Sequence, residues 1–406
     1  MSDNNRLQLD LRRDAKIIPI SAIGTNLAEA MRDSVIKSYE AGARVETPKY
    51  KMGGTLGYDS DITVTVMNPD DPKVVYSPTM WDSGLGTMQY ILEVTHGIHN
   101  HWKKSPEHPT RWGYTYNERF VDQIPFVLQR IKYEWNEKKE QWGEGIGRIS
   151  GRDYQFTIWR PGEDIILEQE DPPCLQRCNL KFLLNNKGEV VMNMLSDWRS
   201  RDHYKAQNSN NIAFLRLMEL LAMKTSDMLR VPIKLGSYVD HSTSLHLYGD
   251  YFDKENLGRT LETIKKHPYE KFARTLDEFL ESESGKDSTG LKRIIAAQMD
   301  AESKGHGLNQ PESRLKDLGY DTANFPYPAE WDSWPKSWDA EPDASKLARV
   351  YKNDEILRES GKILGMSVED LKIASDMYHK APDKSNWWLH HEHFMKDDND
   401  PDEIMR

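Results

Sequence analysis

The chain has 406 residues, 37% of them hydrophobic and 29% charged, which is typical of a soluble globular protein with one large or two ordinary domains. No apolar run approaches the ~20 residues of a membrane-spanning helix, and the opening residues MSDNNRLQLDLRRD lack the apolar core of a signal peptide. The net charge of −11 argues against a nucleic-acid backbone as the main partner, because such binding depends on a basic surface.

Cysteine usage bears on the compartment. The two cysteines, Cys174 and Cys178, are four residues apart and make no disulfide framework. We therefore expect a reducing, cytoplasmic environment. An anionic small molecule stays compatible with the acidic composition, because it needs only a local group of arginines.

The first part of the chain predicts a mixture of helices and strands. Apolar residues at helical spacing predict helices over residues 26–39, 87–96 and 124–138. Alternating apolar residues predict strands over residues 62–68 and 152–159.

Histidines and tryptophans cluster after the helix of residues 87–96. Histidines a few residues apart can share a metal ion, so a metal site is one interpretation. No cysteine lies nearby and the spacing follows no established metal pattern, so we favour a polar, aromatic loop. The residues concerned are His96, His99, His101, Trp102, His108 and Trp112.

Residues 171–202 read as a hairpin. Residues 179–184 and 189–195 are extended segments, and the sequence NNKG between them is typical of a turn. If the hairpin folds about the midpoint of that turn, Cys174 faces Arg199, and a nearby guanidinium favours the nucleophilic thiolate. The preceding prolines place the sulfur at a strand entrance. The alternative is a buried structural cysteine opposite a surface arginine, and the spacing alone leaves both open.

The chain after the hairpin predicts an apolar helix over residues 212–228, a strand or pair of strands over residues 236–248, and a helix over residues 253–266. His246 and Tyr248 are two apart and project from one strand face. Past Pro268 the sequence is acidic and carries FPYPAEWDSWPKSWDAEPD, a proline-broken segment that we expect to lie over a surface.

Three motifs occur in order: PPCLQ at residues 172–176, WRSRD at 198–202 and SLHLY at 244–248. Together they resemble the active-site signature of the thymidylate synthase and pyrimidine nucleotide hydroxymethylase family, over residues 47–252. The resemblance implies an α/β (α+β) fold with a large, mostly antiparallel sheet flanked by helices, and a homodimer formed by sheet packing. We predict a catalytic core over residues 1–267 and an acidic extension over residues 268–406 packing on it.

The resemblance implies a role for each motif residue. Cys174 is the nucleophile, and Arg199 and Ser200 bind the substrate phosphate. Asp202 is a catalytic and folate-binding residue. The sugar hydroxyl is held by His246 and Tyr248.

Further roles follow with less direct motif matches. The family carries a catalytic glutamate in the helix predicted over residues 87–96, which organises water and protons around the pyrimidine. Glu93 is the only carboxylate here, although it lies nearer to Gly97 than is usual. Tyr116 matches the active-site tyrosine. Counting from Asp202 without gaps places Asn210 at the base-reading asparagine, and a one-residue insertion would place Asn211 there. An amide accepts from uracil N3–H and donates to O4, so we expect uracil rather than cytosine.

The chain departs from the family at its phosphate clamp and at its end. The usual arginine-led turn that grips the phosphate is absent. Lys49 or Lys51 is either its replacement or a solvated loop lysine. The family has two adjacent arginines that reach across the dimer to the phosphate of the partner's substrate. This chain keeps only the first, Arg152, so its phosphate clamp would draw on Arg148 or Arg201. The chain ends in PDEIMR instead of a short apolar tail.

The resemblance implies one-carbon transfer from 5,10-methylenetetrahydrofolate to C5 of dUMP. The departures favour 5-hydroxymethyl-dUMP as the product, as in the phage enzymes that make modified DNA, with the host cytoplasm as location. A thymidylate synthase that releases dihydrofolate is the alternative, and a catalytically inactive nucleotide- or RNA-binding homologue is a third. The expected partners are dUMP, folate and a second copy of the chain, with no membrane and no direct nucleic-acid binding.

Overall fold

The computed structural model describes residues 18–45, 55–102, 113–143, 153–165 and 172–342, with the single residues 367 and 369. The chain divides into two compact units, Met1–Trp159 with Pro173–Pro342, and Arg160–Pro172 with Asp343–Arg406. In the second unit, the described residues include one short helix, α5. The first unit contains the sheet and the other helices.

The described strands are numbered in chain order. They are β1 (Ile20–Gly24), β2 (Ala43–Val45), β3 (Gly57–Val66), β4 (Val75–Tyr76), β5 (Gln155–Thr157), β6 (Leu175–Leu184), β7 (Val190–Trp198), β8 (Arg201–Asp202), β9 (Ile233–Leu247) and β10 (Ala273–Arg274).

The described α-helices are numbered in the same way. They are α1 (Leu27–Ala41), α2 (Gly84–His96), α3 (Tyr116–Phe120), α4 (Ile124–Gly143), α5 (Pro161–Asp164), α6 (Gln207–Leu229), α7 (Gly249–Lys254), α8 (Leu257–Lys266), α9 (Leu276–Ser284), α10 (Ser288–Ser303) and α11 (Glu312–Asp317).

The fold is a mixed α/β arrangement around one large sheet. Its strand order is β1-β3-β9-β7-β6-β5, with β2 paired to β3 and β8 paired to β9. The pairs β2–β3, β3–β9, β5–β6 and β6–β7 are antiparallel, whereas β1–β3, β7–β9 and β8–β9 are parallel. The predicted large sheet flanked by helices is present, and its described pairings mix the two orientations.

Strand burial follows the two-residue period of extended backbone. Along β7 the buried side chains alternate with half-buried ones, and the buried set includes Met192, Met194 and Trp198. The helix α6 packs against β9 and α2. It is rich in leucine, methionine and alanine, which favour helix, and Phe214 and Leu221 on it are fully buried. Each such side chain contributes about 1.5–3 kcal/mol to stability.

The predicted hairpin is confirmed, but the pairing of β6 with β7 is not set by the symmetric turn that we predicted. Its loop has three residues and ends in Gly188 at φ 74°, so that Leu184 pairs with Val190, one residue away from the symmetric turn that we predicted. A bulge between Leu175 and Arg177 adds one residue to β6 and restores the offset. The backbone N–H of Arg199 therefore donates to the carbonyl of Cys174 at 2.9 Å.

The predicted helices and strands are largely confirmed. The predicted helix over residues 253–266 is instead two helices, because Asn256 between them adopts a left-handed φ of 54°. The strand predicted over 152–159 is short, spanning Gln155–Thr157. The confirmed helices are α1, α2, α4 and α6, and the confirmed strands are β3 and β9.

Residues 268–342 lie in the same unit as the sheet. The proline-broken segment buries Trp331 and Trp338. The imidazole of His96 bonds the carbonyls of Glu330 and Ser333, both at 2.9 Å, which ties the segment to the end of α2. The division of the chain into a core and an extension at residue 268 stays a prediction.

None of the helices in the described part of the chain combines the length and apolar character that crossing a bilayer requires.

The hairpin loop gives a test of backbone conformation. Gly188→Ala places a side chain at φ 74°, where no neighbour lies within 4 Å, so backbone strain alone should lower the free energy of unfolding by about 1–2 kcal/mol. Gly258→Ala in α8 is the matched control, because its added methyl meets only ordinary contact and improves helix propensity by up to about 1 kcal/mol. Urea unfolding of both variants measures the difference, and effects of the same sign would contradict the assignment.

Candidate active site around Cys174

Cys174 lies just before β6, half-buried and in no disulfide. Arg199 lies opposite, one residue past the end of β7, and its Nε donates to the carbonyl of Pro173 at 3.0 Å. The side-chain amide of Gln176 donates to the same carbonyl at 3.1 Å. These bonds bring a guanidinium to the strand entrance that carries the thiol.

Tyr116 begins α3 and lies beside this entrance. Its ring packs edge-on against Trp198, with centroids 5.6 Å apart, and against Phe214 at 6.4 Å. Burial raises the pKa of Tyr116 well above its usual value, and the charges of Tyr90, Tyr114 and Cys174 add to the rise. The phenol of Tyr116 therefore stays neutral, and it is close enough to the thiol of Cys174 for their charges to interact.

Asn210 lies in the first turn of α6, and its side-chain amide has hydrogen-bonding atoms left for a ligand. Its Nδ2 donates to the hydroxyl of Tyr90 at 2.8 Å. Among the described residues, no donor bonds its Oδ1. The side chain is nearly buried, at 8% exposure, so a ligand that meets it would be largely desolvated.

Asn211, the other candidate base reader, is fully buried and bonded within the core. Its Oδ1 accepts from Arg201 at 3.2 Å and from the hydroxyl of Tyr238 at 3.4 Å. Its Nδ2 lies 3.7 Å from the sulfur of Met31. The geometry favours Asn210 as the amide that can meet a ligand.

Arg201 is buried beneath these residues and forms an ion pair with Asp240. It also donates to the hydroxyl of Ser242 at 3.0 Å, and its guanidinium carbon lies 4.3 Å from the ring centroid of Trp198. Asp240 accepts a further bond from Ser196 at 2.9 Å. Arg201, which we considered for the phosphate clamp, is instead bonded inside the core.

Asp202 follows in the chain and stabilises the turn into α6. One carboxylate oxygen accepts from the backbone N–H groups of Tyr204 and Lys205, both at 2.9 Å, and the other accepts from the hydroxyl of Tyr251. Ser200, between the two arginines, is half-buried.

His246 and Tyr248 lie at the end of β9, with ring centroids 4.4 Å apart. In the ladder, His246 pairs with Asp202 on one side and Asp59 on the other. Burial lowers the pKa of His246, and the two carboxylates only partly offset that effect, so the imidazole is neutral at pH 7. The register thus brings the second and third motifs together.

Glu93 lies on α2 but bonds away from Asn210. Its carboxylate accepts from Nδ1 of His99 at 2.8 Å, and both groups are buried. The imidazole of His99 stacks on Trp102 with centroids 3.7 Å apart. The residue of α2 that reaches Asn210 is Tyr90, one turn earlier, which we did not predict from the sequence. In the sequence, the unusually short spacing between Glu93 and Gly97 was the signal that pointed to a residue one turn earlier.

The histidine-rich segment distributes its side chains among separate partners. His96 bonds the proline-broken segment, His99 bonds Glu93, and His101 lies 3.3 Å from Glu302. Within the described residues, no group of three or more acidic, histidine or cysteine side chains could hold a metal ion.

Several predicted residues lie outside the described part of the chain, namely Lys49, Lys51, His108, Trp112, Arg148 and Arg152. A cavity of about 450 Å³ is formed by residues of α2, α6, α9 and α10, and no residue predicted for the site lines it.

Neither a protein-family model nor a curated protein matches the sequence. Among solved structures, the chain is similar to the thermostable thymidylate synthase A from Bacillus subtilis, with 14% identity and a TM-score of 0.40, over 58% of this chain and 84% of that chain.

The buried ion pair gives a test of what supports the site. Arg201→Met leaves Asp240 charged without its main partner, and we expect the free energy of unfolding to fall by about 3–5 kcal/mol. Arg230→Met is the control, because Arg230 is 83% exposed beside Asp227, and a change of at most about 0.5 kcal/mol is expected there. If chemical denaturation shows that Arg201→Met lowers the free energy of unfolding no more than this control is expected to, the Arg201–Asp240 pair is dispensable.

Proposed function

We propose that the chain is a folate-dependent one-carbon transferase that acts at C5 of dUMP, with Cys174 as the nucleophile. The observation that carries this proposal is the half-exposed thiol at a strand entrance, opposite Arg199 and electrostatically coupled to Tyr116. The three ordered motifs support it, and the ladder pairing of His246 with Asp202 joins two of them at one end of the sheet.

The chemistry follows from the reactivity of uracil. C5 of the base is a poor nucleophile until a thiolate adds to C6 and the electron pair moves toward C5 and O4. In the proposed reaction, Cys174 forms that bond and C5 attacks the one-carbon unit that methylenetetrahydrofolate supplies. Loss of the C5 proton and of the folate amine leaves an exocyclic methylene on a base still bonded to Cys174.

Two nucleophiles can then complete the reaction. Water adding to the methylene, with expulsion of the Cys174 thiolate, gives 5-hydroxymethyl-dUMP and leaves tetrahydrofolate. Hydride from tetrahydrofolate gives thymidylate and dihydrofolate. The product depends on which nucleophile the closed site admits.

We propose 5-hydroxymethyl-dUMP as the product, which is the outcome in which water reaches the exocyclic methylene. Residues 207–209, just before the candidate base reader Asn210, are polar. Each is bonded internally: Gln207 to Asp240, Asn208 to the backbone of Tyr76, and Ser209 to Asp82. They do not open the site to water, and this favours thymidylate synthase as the second candidate.

The described residues fit a folate beside Asp202. The carboxylate of Asp202 is half-buried and accepts three hydrogen bonds, which leaves one acceptor position for a ring N–H. Trp81 nearby is 49% exposed, and the ammonium of Lys205 lies 3.5 Å from its ring centroid. An exposed aromatic face of this kind suits a planar ring. In the proposal, Arg199, Ser200 and Arg152 bind the phosphate, and His246 with Tyr248 holds the sugar.

The proposed homodimer would use the face of the sheet opposite α1 and α6. Leu195 and Val239 are paired on that face and are half-buried. Ile23 and Met67 are 56% and 58% exposed at its edge. Sheet-to-sheet packing with a second copy would cover these side chains.

The nucleophile can be tested directly. Cys174→Ser should lose turnover by a factor of at least about 1,000 while dUMP binding and the fold are retained, because only the thiolate is removed. The control is Cys178→Ala. Cys178 is fully buried, and burial raises the pKa of its thiol well above the usual value, so it should not react. Steady-state assays with dUMP and methylenetetrahydrofolate measure both variants, and normal turnover in Cys174→Ser would remove the mechanism.

The product can be tested in the same assay. We expect a nucleotide with the mass of 5-hydroxymethyl-dUMP and little or no rise in dihydrofolate absorbance, because hydration returns tetrahydrofolate. Dihydrofolate appearing one-for-one with a methylated nucleotide would favour the thymidylate synthase alternative instead.

A further inference from the structure

Tyr90 lies on α2 with its hydroxyl against the first turn of α6. The hydroxyl accepts a hydrogen bond from Nδ2 of Asn210 at 2.8 Å. Burial raises the pKa of Tyr90 well above its usual value, and the charge of Glu93 adds to the rise while Arg201 and the Asn210 bond oppose it. The phenol therefore keeps its proton throughout the physiological pH range.

The bond from Asn210 determines what else the phenol can do. A phenol oxygen that already accepts one strong hydrogen bond has its own O–H left to donate. The amide of Asn210 has a second N–H to donate and an Oδ1 that accepts nothing among the described residues. Tyr90 and Asn210 thus offer two donors and one acceptor to a ligand.

This combination distinguishes pyrimidines by the group at C4. A 4-oxo base presents a carbonyl oxygen, which accepts from both donors, next to an N3–H, which donates to Oδ1. A 4-amino base presents an amine to two donors and leaves buried polar groups unpaired, which is costly. In a base bound this way, the same O–H would face O4, where negative charge develops when a thiolate adds at C6.

We propose that Tyr90 is a further substrate-contacting residue, which donates its O–H to the C4 carbonyl of the base and selects 4-oxo over 4-amino pyrimidines. The inference rests on the proposed function of the same site. It places a phenol of α2 against the base, whereas the carboxylate of Glu93, which the family resemblance assigns to this helix, bonds His99.

The experiment measures binding of dUMP and dCMP separately, by calorimetry, to the full chain carrying Cys174→Ser so that no turnover occurs. In that background, Tyr90→Phe retains the ring and removes only the hydroxyl. Loss of one hydrogen bond should weaken dUMP binding by about 10-fold and leave dCMP binding unchanged, so the dUMP-to-dCMP preference falls by about 10-fold. Tyr114→Phe is the matched control, because Tyr114 is a neighbouring phenol with no hydrogen bond to Asn210, and it should keep the preference.

The outcomes separate the inference from the function it rests on. If the background protein binds dUMP and Tyr90→Phe keeps the original preference, the role of Tyr90 is overturned and the proposed function stands. Equal weakening of both nucleotides would indicate a structural role and would also overturn it. Absence of dUMP binding in the Cys174→Ser background itself would overturn the proposed function together with the inference.

Discussion

The buried ion pair between Arg201 and Asp240 is the interaction on which the rest of the site depends. A charge taken out of water is costly unless it is paired and fully hydrogen-bonded. Here the guanidinium bonds Asp240, Ser242 and Asn211 and stacks on Trp198, which joins β7, β8, β9 and the first turn of α6. Because that turn carries Asn210, the position of this candidate base-reading amide depends on the buried pair.

Neutral groups surround this pair, and burial explains their charge state. Burial and the nearby Arg201 lower the pKa of His203 to about 3, so its imidazole is uncharged where it bonds Ser34. Burial likewise keeps Tyr90 and Tyr116 protonated. Near Cys174 the two phenols therefore remain neutral hydrogen-bond donors, while Arg199 supplies the positive charge opposite the thiol.

Residues far apart in sequence meet because of register, and register is sensitive to single residues. A three-residue loop and a bulge in β6 each displace the pairing by one residue, and only together do they place Cys174 opposite Arg199. On α2, the direction in which each side chain leaves the helix determines which residue contacts Asn210. A spacing of three residues separates Tyr90, which reaches α6, from Glu93, which bonds His99. The local pattern predicted that Cys174 faces Arg199, but it predicted neither the loop and bulge that produce this pairing nor the contact between Tyr90 and Asn210.

The sequence by itself determined the helices α1, α2, α4 and α6, the hairpin, and the three ordered motifs, because hydrophobic period and turn chemistry are local properties of the chain. It did not determine which partners the polar side chains of α2 and α6 bond. Tertiary structure decided this, since the direction of a side chain on a buried helix depends on what packs around it. Asn211 is bonded to Arg201 and Tyr238, and Asn210 to Tyr90.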